Sequence, residues 1–148
     1  MGDKEGMVTI DSDLSLHQWL SSKPDDFARV VAIRAALRTL PYGLNRRTQA
    51  LGSVDPELAL FRCLALSWST LLWRSDDFLW GVERATDGAI DNLFAEPAAH
   101  DAAFSAAESL TSANSESIIE AAVNSAQRSA HLVGWGASSN DCRWLEKH

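Results

Sequence analysis

Little in this chain announces chemistry, and its scarcities narrow the field quickly. Only two cysteines occur, Cys63 and Cys142, too few for the disulfide framework of a small secreted domain. Both read as reduced thiols of a cytoplasmic protein, with Cys63 a small buried hydrophobe. The four histidines (His17, His100, His131 and His148) stand at no metal-site spacing, and neither HExxH nor CxxC is present. Serine is abundant, but without GxSxG none occupies a nucleophile elbow. The one glycine cluster, Gly134-Trp135-Gly136, suits a helix stop better than a phosphate-cradling loop. No stretch reaches the roughly 20 apolar residues of a membrane span, and the opening MGDKEG lacks the apolar segment of a signal peptide. On these grounds neither a cofactor nor a membrane partner is expected.

What is present is a helical pattern. A length of 148 residues with 46% hydrophobic side chains fits one domain able to bury its own core. Alternating β-branched runs are almost absent, so the expected fold class is all-α. The organisation expected is a flexible arm over 1–13 and a single all-helical domain over 14–148, a compact bundle of five to seven helices. Its centre falls on 55–74. Asp55 is a good N-cap and Pro56 suits the first helical position. Leu58, Phe61, Ala65, Trp68 and Leu72 form one stripe, Leu60, Leu64 and Leu71 a second, and Cys63, Leu66 and Trp73 a third. Only Arg62 and Ser69 supply a polar edge, and a helix apolar nearly all round is a core helix. Trp68 is therefore expected to be buried.

The other helices follow from caps and breakers. Ser15 reads as the start of a short first helix, with Gln18 as capping-box partner and Leu14 and Trp19 as a hydrophobic staple. Pro24 opens a second helix that Pro41-Tyr42-Gly43 should end. A fourth covers about 76–95, where Gly81 and Gly88 mark close approach of another helix. A fifth runs from Pro97 to about Leu110 with a thin stripe of Ala99, Ala103, Ala106 and Leu110. Asn114 or Ser115 caps a sixth that stops at Gly134, and a last short helix after Ser139-Asn140 is expected to dock Trp144 and Leu145 onto the body.

Charge is distributed unevenly. The whole chain carries −7, yet Phe27 to Val54 holds five arginines (Arg29, Arg34, Arg38, Arg46, Arg47) and no acid, a local +5. Ser75 to Glu120 holds ten acids against Arg84 alone, a local −9. Arg34 and Arg38 lie four apart among apolar residues, where a charge needs a partner. Either their stems cover apolar surface while the guanidinium groups reach water, or they form a buried ion pair or an anion site; the first account ranks ahead. At the level of the halves, the leading account pairs Arg34 and Arg38 with the Asp76–Asp87 face inside one molecule. Pairing between copies and reception of an acidic or phosphate-bearing partner follow. Trp80 falls among Asp76, Glu83 and Asp87 rather than on the apolar stripe of its helix, which fits equally an interface tryptophan and one buried beneath the terminal helix.

The function expected first is a non-enzymatic cytoplasmic helical domain that binds itself, as a homo-oligomer, or another protein, through Arg34, Arg38, Arg46, Arg47 and Trp80. A second reading is a small all-α enzyme acting on a phosphate-containing small molecule, with Mg²⁺ held by Asp76, Glu83 and Asp87. The third, nucleic-acid binding through the arginines of 29–47, is the weakest because the chain is acidic overall.

Overall fold

The computed structural model describes residues 8–44, 56–73, 75–90 and 97–147. Among them run seven α-helices: α1 Asp13–Leu20, α2 Asp25–Leu44, α3 Pro56–Leu72, α4 Asp76–Ile90, α5 Pro97–Thr111, α6 Ser115–Val133 and α7 Gly136–Leu145. They pack as an all-α bundle, with no strand among the described residues. No helix among those residues is long and apolar enough to cross a membrane.

The centre of the bundle is α2, not the 55–74 helix. It packs against α5, α6 and α3 and also meets α1 and α7, so Val31, Ala32, Ile33, Ala35 and Ala36 are shut off from solvent around most of its circumference. Small side chains make this possible. The stripe Ala99, Ala103, Ala106 and Leu110 of α5 is buried as its spacing implies, and faces α2 and α6. Alanines let helix backbones approach closely, and Ser125 of α6 exploits that closeness. Its hydroxyl lies 2.8 Å from the Ala32 carbonyl of α2 and 3.1 Å from the Ala102 carbonyl of α5, sharing one proton between two neighbouring helices.

The 55–74 segment does form a helix, α3, but it lies at the flank with its amphipathy turned round. Ser67 and Thr70 point inward, at 0% and 2% exposure, beside Cys63 and Leu64. Phe61, Trp68 and Leu72 point outward, at 54%, 41% and 58%. The stripe that hydropathy assigns to the core is therefore the outer surface. Among the described residues α3 has helix neighbours in α2, α4 and α5, and none of these covers that face. Thr70 offsets its burial by donating to the Leu66 carbonyl at 2.8 Å, whereas the buried Ser67 hydroxyl has no partner.

Several boundaries shift for local reasons. α1 begins earlier than Ser15 because Ser12 is the N-cap, with Ser15 completing the capping box in place of Gln18. No staple forms: Leu14 is 66% exposed, and Trp19 packs on Phe27 with ring centroids 6.0 Å apart. α2 continues through Pro41 to Leu44, since a proline in the last turn forfeits only one helical hydrogen bond. α6 has the expected caps, with Asn114 accepting from the Glu116 N–H at 2.9 Å and Gly134 turning the chain at φ +78°. α7 starts at Gly136, three residues ahead of the expected Ser139-Asn140 cap, because Ser139 is needed inside the helix. Its hydroxyl accepts from the Ile10 N–H at 2.8 Å and donates to the Ile10 carbonyl at 2.9 Å. Ile10 is thereby buried, so the part of the expected flexible arm from Val8 to Ser12 is docked on α7. Gly81 faces Leu66 of α3, but a Cβ there would sit 3.7 Å away, so the approach does not demand glycine. The surroundings of Gly88 lie outside the described residues.

Candidate functional site

Arg34 and Arg38 occupy one face of α2, a helical turn apart. Across from them α7 presents Asp141, whose side chain is only 1% exposed. Arg34 Nε donates to Asp141 Oδ1 at 2.7 Å, and Arg38 Nη2 donates to Oδ2. One carboxylate thus holds two guanidinium groups, one on each oxygen. The sharper alternative, a buried ion pair, describes the two arginines, and the leading expectation of solvated guanidinium groups is overturned. Its intramolecular form is corrected too: the acid is Asp141 of α7, not the Asp76–Asp87 face. Asp76, Asp77 and Glu83 of α4 are exposed, and α4 packs on α3 and α5 rather than on α2.

Two further details leave this cluster incompletely satisfied. Arg38 Nη1 is buried without a hydrogen-bond partner. The Arg34 guanidinium lies over the Trp144 ring, 5.0 Å from its centroid, the stacked arrangement to which arginine is suited. Next along α2, Arg29 is 7% exposed; its Nη1 donates to Asp26 at 2.8 Å and its Nε to the Ser109 carbonyl at 3.2 Å. Three of the five arginines between 27 and 54 are therefore engaged inside the molecule. Arg46 and Arg47 lie outside the described residues.

Above the arginines a cavity of about 530 Å³ opens between α2, α3 and α7. Val30, Trp68, Leu71, Leu72, Leu110 and Trp144 form its apolar wall, Arg29 and Arg34 its cationic part, and Asp26 places one carboxylate beside Arg29. A smaller cavity of about 260 Å³ lies on the other side of Trp68, walled by Leu37, Leu40, Phe61 and Leu64. The outward stripe of α3 is the rim of both. The volume of the larger cavity falls in the range of about 300–1,000 Å³ typical of small-molecule sites.

No side chain here is set up as a nucleophile. The Thr70 hydroxyl is spent on its own helix. Cys142 lies beside Asp141, and burial first, then the Asp141 and Glu146 charges, push its thiol up to about 12. Both cysteines are buried and neither is in a disulfide; burial of Cys63 is as its helix position implies. Asp76 and Glu83 are exposed on α4, and the Asp87 side chain lies outside the described residues. Among the described residues no group of three or more His, Cys, Asp or Glu side chains is placed to hold a metal ion. Trp80 stands apart from the arginine cluster, on the outer face of α4, 59% exposed with Arg84 4.7 Å over its ring.

Sequence reasoning overlooked Asp141, and it gave Trp144 only a docking role on the body of the bundle rather than a place beside Arg34. The signal for Asp141 was available: Ser138, Asp141, Cys142 and Leu145 recur at three-and-four spacing, which puts one acid on the buried face of a short helix. Such an acid needs a cation, and the two on α2 lacked one. For Trp144 no comparable signal exists, because its position depends on how α7 lies across α2. Compared with protein families, curated proteins and solved structures, the chain matches none.

Proposed function

We propose that this chain is a non-enzymatic helical interaction domain of the cytoplasm that associates with a second copy of itself through the outer face of α3. The observation that carries the reading is the inverted amphipathy of that helix. A flank helix that faces water on one side normally keeps its hydroxyls out and its aromatics in. Here Ser67 and Thr70 are inside while Phe61, Trp68, Leu72 and Trp73 are outside. Four large apolar side chains within 13 residues, all more than two-fifths exposed, form the kind of patch that marks an interaction surface. Trp80 on the adjoining α4 extends the aromatic surface.

Size-exclusion chromatography with light scattering tests it. A dimer at micromolar concentration that becomes a monomer on Phe61→Ser supports the reading. A strict monomer at every concentration overturns it. Of the five arginines on which the nucleic-acid reading rests, Arg29, Arg34 and Arg38 already hold Asp26 and Asp141, and Arg46 and Arg47 lie outside the described residues. The Mg²⁺ reading has no second row of carboxylates among the described residues to complete a site.

A further inference from the structure

From the charge balance around the larger cavity we infer a ligand class that self-association does not explain: a small molecule with an apolar, preferably aromatic body and a single carboxylate. Three guanidinium groups line or back the cavity, those of Arg29, Arg34 and Arg38, against two carboxylates, Asp26 and Asp141. One positive charge is in excess. It is not freely solvated, since the side chains of Arg29, Arg34 and Arg38 are 9%, 33% and 24% exposed. A monoanion entering the cavity would neutralise it.

The geometry selects a carboxylate. Arg34 gives Asp141 only its Nε, and its Nη1 and Nη2 make no hydrogen bond among the described residues. Their parallel N–H groups match the two oxygens of a second carboxylate end-on. Because Arg34 lines the cavity, an anion bound there can leave its apolar body in the larger space between Trp68, Trp144, Leu71 and Leu110. The Trp68 indole lines this space and can take a flat ring against it, whereas the Trp144 ring already carries the Arg34 guanidinium. Asp141 holds the Arg34 guanidinium in place, so little side-chain entropy remains to be lost on binding.

Calorimetry with the full chain tests the assignment, using naphthoate and its uncharged analogue naphthylmethanol as probes. Naphthoate should bind roughly tenfold or more tightly than the alcohol, the usual effect of a charge-assisted hydrogen bond. Leu72→Glu places a negative charge on the cavity rim and should weaken naphthoate by clearly more than it weakens the alcohol. Trp68→Ala should weaken both. Phe61→Ser lines the other cavity and should retain naphthoate whether or not it abolishes the dimer, so this inference and the self-association reading can fail separately. Equal affinity for acid and alcohol, no heat from either probe, or naphthoate binding indifferent to Leu72→Glu and Trp68→Ala would each overturn the assignment.

Discussion

Arg34 Nε donates to Asp141 Oδ1 across 2.7 Å, joining α2 to α7 over 107 positions of sequence. With Arg38 on the second oxygen, the contact fixes the terminal helix on the central one. The nearly inaccessible carboxylate is the component most costly to remove, because two guanidinium groups depend on it.

Asp141→Ala is expected to destabilise the fold by about 3 kcal/mol, the lower end for breaking a buried pair. The lower end applies because the arginine side chains are 33% and 24% exposed and can turn toward water. Arg34→Ala should cost less, since Arg38 still serves the carboxylate. Urea unfolding of both variants reads the order, and equal losses would show that the carboxylate is not shared as described.

The outward set of α3 makes a prediction contrary to hydropathy. Phe61→Ser should change monomer stability by no more than about 0.5 kcal/mol, as for other surface positions. Ser67→Ala, which removes a buried hydroxyl without a partner, should stabilise by about 1 kcal/mol. Thermal melts of monomeric protein measure both, and a large loss in either variant would mean that α3 is turned the other way.

Cys142 should be silent as a nucleophile. Its thiol is raised from an ordinary 9.0 to about 12, with burial the largest cause. A raised acid contributes stability that is complete below 9.0 and declines as pH climbs from there toward 12. Ellman's reagent at pH near 8 should label no cysteine in the folded chain and both in urea. Rapid labelling of the native protein at Cys142 would contradict its burial.

Glu146, just past α7, accepts from Trp19 Nε1 at 3.0 Å and pairs with Lys23 Nζ at 3.2 Å. The Trp19 hydrogen bond, followed by Lys23, holds its carboxyl below the ordinary value of 4.5. A depressed carboxylate stabilises the fold above that ordinary value, and the contribution disappears as pH falls through the folded one. The melting temperature of Glu146→Gln should therefore lie below that of the unaltered chain at neutral pH and converge with it in acid. A gap that persists at low pH would rule out this linkage.

The all-α class, most helix positions and the α6 caps were legible in the sequence because they rest on local chemistry: Asn114 and Gly134 act on their own neighbours, and the α5 alanines repeat at helical spacing. Local chemistry does not fix how a helix is rolled about its axis. Hydropathy placed Trp68 inside, but α5 and α6 present alanine-sized surfaces to α2 and fill the centre without it, which leaves α3 at the flank. The need of Arg34 and Arg38 for a partner was likewise visible from their apolar neighbours on α2. That the partner is Asp141 was settled only when α7 crossed α2, because a charge–charge contact depends on separation in space, and distance along the chain does not encode that separation.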